Sequence, residues 1–151
     1  IQSLGFSLVD ATLIAKQAMA HFIEHRSDFD VPKASHELLA RLSEKIPLVA
    51  ISNGNVDAKA IGISHYFQAI YHAENGVKQK PAVDMFEAAQ KKLNIKPENI
   101  LHIGDCGKAD ILGASTANFQ SAYLPKYGIG KPLRLLPNVQ LDDVTELTKF
   151  I

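Results

Sequence analysis

Three short runs constrain this chain more than anything else in it: "IPLVAIS" (46–52), "NILHIG" (99–104) and "FQSAYL" (119–124). The first is apolar at consecutive rather than alternate positions, the pattern of a strand buried on both faces, and the other two have the length of strands. A fourth run, "YFQAIYHA" (66–73), has the length and composition of another strand. Between them lie segments of helical length. Pro32 opens one, with Leu38, Leu39 and Leu42 on its apolar side, and Pro81 opens another carrying Met85, Phe86, Ala89 and Leu93. Shorter helices are expected near Ala58–Ile61 and over Asp110–Ala117, and Val144, Leu147 and Ile151 mark a last one. Strands alternating with helices require right-handed crossovers. The expected fold is therefore α/β and Rossmann-like, a mostly parallel sheet with helices on both faces.

Residues 1–27 read as a helix with a short lead-in. Ser7 and Asp10 stand at capping-box spacing, and Val9, Leu13, Met19, Phe22 and Ile23 recur near the helical period.

In open parallel sheets ligands gather beyond the carboxyl ends of the strands. Three such ends carry polar residues here. The first gives Ser52-Asn53-Gly54-Asn55, a hydroxyl followed by a glycine turn whose backbone N–H groups suit a phosphate. Its plainer reading is an Asn-Gly turn. The second is Lys80-Pro81, where an ammonium can neutralise a phosphoryl oxygen and a nearby carboxylate, or simply be solvated beside Lys78. The third is "LHIGDCGKADILGA" (101–114). Gly104 permits a sharp turn and Asp105 emerges at the strand end, a natural oxygen ligand for Mg²⁺. Asp110 reads equally as the N-cap of the following helix or as a carboxylate that fixes a lysine or a metal-bound water.

A hydroxyl, a Lys-Pro and then Gly-Asp-x-x-x-x-Asp on successive strand ends form one ordered set. That set, over about residues 31–125, resembles motifs two, three and four of the haloacid dehalogenase-like superfamily, most of whose members are Mg²⁺-dependent phosphatases. The resemblance assigns phosphate binding to Ser52, Asn53, Gly54 and Lys80. It assigns catalytic roles to Ser52, Lys80 and Asp105, and metal binding to Asp105 with Asp110 behind it. "DVP", "PLVAISNGN" and "KLNIKPENILHIGD" are similar to the bacterial subgroup that dephosphorylates flavin mononucleotide and phosphoribitylaminouracil. A small phosphorylated metabolite is the substrate class this implies.

In that family the first strand ends in Asp-x-Asp-x-Thr, whose acids serve as nucleophile and general acid–base. "FSLVDATLI" (6–14) comes nearest and fails, because neither Leu8 nor Thr12 supplies a second acid beside Asp10. The resemblance therefore divides the chain into residues 1–27, the tail of a helical cap domain, and 28–151, a core lacking its first strand. It implies a nucleophile upstream, an inactive chain as written, and a gap in the sheet that another segment or chain fills.

Sixteen basic residues balance sixteen acidic ones, so no broad field favours nucleic acid or an anionic membrane, and no apolar run reaches membrane-spanning length. The single cysteine, Cys106, suits a reducing, cytoplasmic setting. Flanked by acids, its thiol is not activated, and it reads as filler between them. His102 reads as a satisfied core residue. His21 and His25 share a helix face, yet Phe22 occupies the place where a zinc protease needs glutamate. "YGIGKP" (127–132) fails the P-loop pattern and reads as a turn. The rival functions are a metal-independent dehalogenase or a phosphomutase of the same fold. A non-catalytic phosphate-binding module is a third, and the order of hydroxyl, lysine and acids argues against a receiver domain.

Overall fold

The computed structural model describes residues 5, 7–128 and 135–150. Residues 129–134, which include most of "YGIGKP", lie outside the described residues, as does Ile151.

Helix α1 (Leu8–Arg26) starts as its sequence indicates: the Asp10 amide donates to Ser7 Oγ at 3.2 Å, and Ser7 Oγ donates back to the Asp10 carboxylate at 2.6 Å. Only Ala11 along it is buried, and Leu8, Val9, Leu13, Met19 and Phe22 are exposed. Helix α2 (Lys33–Lys45) follows Pro32 and buries Leu38 and Leu42. Strands β1 (Val49–Ser52) and β2 (Ala69–His72) pair in parallel, joined by turns and a 3₁₀ segment, Ser64–Tyr66, in place of the helix expected near residue 58.

Helix α3 (Asp84–Leu93) begins three residues later than Pro81 suggests, because residues 80–83 form a turn tied to the end of β1. Its ends suit the helix dipole, with Asp84 and Glu87 in the first turn and Lys91 and Lys92 in the last. Asn94 closes it at φ 53°, the left-handed conformation asparagine tolerates well. After α3 come β3 (Leu101–Gly104), a π-helical turn (Gly107–Leu112) running into α4 (Gly113–Thr116), and β4 (Gln120–Tyr123). A two-residue strand, β5 (Val139–Gln140), extends the sheet beyond β4, and a 3₁₀ segment, Val144–Phe150, replaces the expected last helix.

All pairings are parallel, and the described strands form two sheets rather than one, β1-β2 and β3-β4-β5. Two apolar clusters pack on them. One joins α2 to β4, β5 and the 3₁₀ segment through Leu38, Leu42, Ala122, Leu141 and Leu147; the other gathers Phe86, Ile100, Ala114 and Phe119 around α3. Among the described residues no helix is long and apolar enough to cross a membrane.

Candidate functional site

The carboxyl ends of β1 and β3 and the turn before α3 meet in a single polar network, and a buried ion pair lies at its centre. Lys80 Nζ donates to Asp110 Oδ1 at 2.7 Å, and both side chains are shielded, Lys80 being 10% and Asp110 5% exposed. Nζ also donates to the carbonyl of Ile51 at 3.0 Å, which ties it to β1. An ammonium has three protons, so one N–H remains for a ligand.

Asn53 holds Lys80 from the other side. The Lys80 amide donates to Asn53 Oδ1 at 2.7 Å, and Asn53 Nδ2 donates to the Lys80 carbonyl at 2.9 Å. The Asn53 amide thus completes a two-point clamp on the lysine backbone, which joins the end of β1 to the cis Lys80–Pro81 peptide. Beside it, the Gly54 N–H donates to Ser52 Oγ at 3.0 Å. That amide, expected to be open to a phosphate, is committed to the hydroxyl. With its oxygen already accepting a bond, Ser52 can direct its own proton outward. The Gly54 carbonyl bonds His72 Nδ1 at 2.8 Å, so β2 also buttresses this loop.

Asp110 is fully engaged. Oδ1 accepts from Lys80 and from His102 Nε2, the latter at 2.9 Å, and Oδ2 accepts the Cys106 amide at 2.9 Å. Burial pushes its pKa up, but the bonds from His102, Lys80 and Cys106 and the Lys80 charge outweigh burial and hold the carboxyl well below the usual carboxylate range. Asp110 is not an N-cap. The cap is Cys106, whose Sγ accepts from the Ala109 amide at 3.4 Å, while Asp110 lies inside the π-helical turn. Cys106 is therefore more than filler: its amide orients Asp110 and its sulfur starts the turn. Serine caps in the same way, so Cys106→Ser is expected to shift unfolding stability by less than about 0.5 kcal/mol. Denaturant titration of both proteins checks this.

His102 is a core residue, as its apolar setting suggests. It also has a specific task that β3's pattern did not reveal, holding Asp110 while its ring packs edge-on against Phe86 at 4.9 Å. Asp105 is half-buried at the β3 end, and its carboxylate makes no hydrogen bond or ion pair with any described residue. Among the described residues no three His, Cys, Asp or Glu side chains cluster as a metal cage. One accessible carboxylate with a lysine-balanced acid behind it nonetheless fits Mg²⁺, which keeps several waters and takes few protein ligands. His21 and His25 lie on exposed α1, their Nε2 atoms 3.1 Å apart.

Comparison with known proteins decides the family. The model of the haloacid dehalogenase-like hydrolases matches residues 3–118. The chain belongs to this family. Among haloacid dehalogenase-like proteins, the 5-amino-6-(5-phospho-D-ribitylamino)uracil phosphatase of Escherichia coli is 36% identical over 97% of the chain. A glyceraldehyde 3-phosphate phosphatase of Methanothermobacter thermautotrophicus is 28% identical over 60% of the chain. The chain spans 63% of the length of the first and 42% of the second. The fold agrees with a 2-haloacid dehalogenase of Pseudomonas syringae, with a TM-score of 0.88 at 23% identity, 98% of this chain and 64% of that one being covered. A magnesium-bound hydrolase of the family from Bacillus subtilis gives a TM-score of 0.66 at 22% identity, covering 78% of this chain and 53% of that one.

Proposed function

We propose that this chain is the phosphate-handling part of a Mg²⁺-dependent phosphatase that hydrolyses a small phosphate monoester. The observation that carries the reading is the Lys80 ammonium, held by Asp110 and the Ile51 carbonyl between the β1 and β3 ends, with Ser52 and Asp105 on those same ends. An ammonium fixed in a shielded site stabilises charge developing on phosphoryl oxygens without reorganising. The Ser52 hydroxyl donates to a second oxygen, and the Asn53 and Gly54 backbone shapes the loop around it. Asp105 would hold Mg²⁺, and Asp110 would sit behind it, orienting Lys80. Bound Mg²⁺ would offset repulsion between phosphate and an attacking carboxylate. That carboxylate would come from upstream of this sequence, bonding to phosphorus as the ester oxygen leaves, with water then hydrolysing the aspartyl-phosphate. The chain alone would then be inactive.

The exposed apolar side of α1 supports reading residues 1–27 as the tail of a helical cap. Similarity to the E. coli phosphatase favours a riboflavin-pathway phosphate or flavin mononucleotide as substrate, and a single cysteine fits a cytoplasmic setting. The test uses the intact protein, assayed with a panel of phosphate monoesters and with 2-chloropropionate, with and without Mg²⁺. Mg²⁺-dependent phosphate release is expected, falling on the order of a hundredfold or more in Asp105→Asn. Chloride release without metal, or an Asp105→Asn protein of normal activity, would refute the reading.

A further inference from the structure

Helix α1 carries a pair of side chains that the phosphate network does not use. His21 and His25 are four residues apart, so both rings lie on one side of the helix. They meet through a single pair of atoms, with Nε2 of His25 standing 3.1 Å from Nε2 of His21. The rings are edge to face, their centroids 4.3 Å apart. The remaining histidines have other partners. His36 bonds the Tyr66 hydroxyl, His72 the Gly54 carbonyl and His102 the Asp110 carboxylate, while the His65 ring packs against Tyr66.

The spacing of the two nitrogens suits a shared metal ion. Nitrogens bound to one ion at about 2.0–2.1 Å stand roughly 2.8–3.4 Å apart for angles between square and tetrahedral. The surroundings favour the same use. His21 Nδ1, the ring's other nitrogen, faces the Glu24 carboxylate at 3.7 Å. A carboxylate there draws the ring proton to Nδ1 and leaves a lone pair on Nε2, the arrangement of metal-bound histidines. His25 lies in the last turn of α1, where the helix dipole favours positive charge. Arg26 is drawn to another side, its guanidinium carbon 5.7 Å from the centre of the Phe22 ring. The turn is also held in place: Ser27 Oγ donates to the Ile23 carbonyl at 2.7 Å and accepts the Asp57 amide at 2.8 Å. Ligands already in position lose little freedom on binding.

We infer that His21 and His25 form a two-point chelate for a divalent transition metal of the class of Zn²⁺, Ni²⁺ or Cu²⁺. No third His, Cys, Asp or Glu joins them among the described residues, so water takes the other positions. Imidazole nitrogen selects these ions over Mg²⁺, which prefers oxygen. The chelate is thus distinct in chemistry from Asp105 and independent of the phosphatase reading. Without an ion, the contact needs a proton on one Nε2 and survives only as an N–H···N bond between rings open to water. With an ion, both protons sit on Nδ1 and both Nε2 lone pairs point at the metal. The His21 side chain is 71% exposed, which leaves room for the bound waters. Met19 and Ile23 lie about half a turn round the helix from His21, so a partner covering that apolar side leaves the chelate in solvent.

The experiment titrates the intact protein, free of any histidine tag, with ZnCl₂ by calorimetry in excess Mg²⁺. A saturable zinc site is expected that persists in Asp105→Asn and weakens roughly tenfold or more in His21→Ala and in His25→Ala. Both histidines are exposed, so neither alanine disturbs the fold, and unchanged circular dichroism checks this. Adding Phe22→His to His25→Ala restores the number of histidines but sets the pair about 100° apart around the helix. Zinc binding is expected to stay weak in that double variant. Zinc should also shift the ring proton resonances of His21 and His25 and leave those of His36 and His65 in place. Four results would each overturn the inference: no saturable zinc site, indifference to both alanines, full recovery with Phe22→His, or a zinc site that disappears in Asp105→Asn.

Discussion

Replacing Asp110 with asparagine is expected to cost about 3–5 kcal/mol of unfolding free energy, the usual penalty for stranding one member of a buried ion pair. The carboxylate accepts from three donors, Lys80, His102 and Cys106. Asparagine is the same size but offers one acceptor atom and turns an NH₂ toward whichever donor meets its other end. Lys80, only 10% exposed, then keeps its charge with a carbonyl as its remaining anchor. Denaturant titration measures the loss. Lys80→Met in the same background should recover part of it by removing the unbalanced charge, so the two substitutions are expected to be strongly non-additive. Additive losses would mean that the pair is not coupled in solution.

The same carboxylate gives the stability a defined acid limb. Its folded pKa lies below the ordinary value of 3.8, so its contribution is fully present above that value and is lost as pH falls through the folded one. The stability difference between the parent protein and Asp110→Asn is therefore expected to be flat at about pH 5 and above, and to shrink as pH drops below the ordinary carboxylate range. A difference that instead closes between neutral pH and pH 5 would assign the effect to another group.

How much of this was legible beforehand depended on how local each determinant is. The runs 46–52, 99–104 and 119–124 are dense with apolar residues, and each yields a parallel strand. Strand β5 has only two residues and takes its identity from pairing with β4, so nothing periodic announces it. Pro81 misled because a proline that suits a helix start equally suits a turn, and Asn53, distant in sequence, fixes that turn. The acids and the lysine were visible as an ordered set. Their partners were not, since whether Asp110 caps a helix or binds Lys80 and His102 is decided by how β3 approaches the turn before α3. His102 shows the same limit: a histidine within an apolar run reads as core, and only packing shows which polar atom satisfies it.

Gly104→Ala is expected to undo the site from a position with no functional group of its own. Gly104 closes β3, and a Cβ there would fall within the van der Waals surface of Asp110 at its Cβ, Cγ and Oδ2. Real contacts never come so close, so one side must move. Asp110 is short, its Oδ2 is tied to the Cys106 amide, and Gly104's own carbonyl is tied to β4 through the Leu124 amide. The strand cannot retreat without breaking its ladder, so the carboxylate yields. Overpacking alone costs about 1–3 kcal/mol, and losing the Lys80 and His102 bonds adds to it. Gly76, with φ +89° and open space where a Cβ would stand, would also resist alanine, but through backbone strain rather than collision. A double-mutant cycle isolates the collision at Gly104. With Asp110→Gly, the three closest atoms are gone, and Gly104→Ala should then cost little beyond the first substitution. If the alanine is as damaging in that background as in the parent, the glycine is needed for the strand end itself, and the close approach of Asp110 is its consequence rather than its reason.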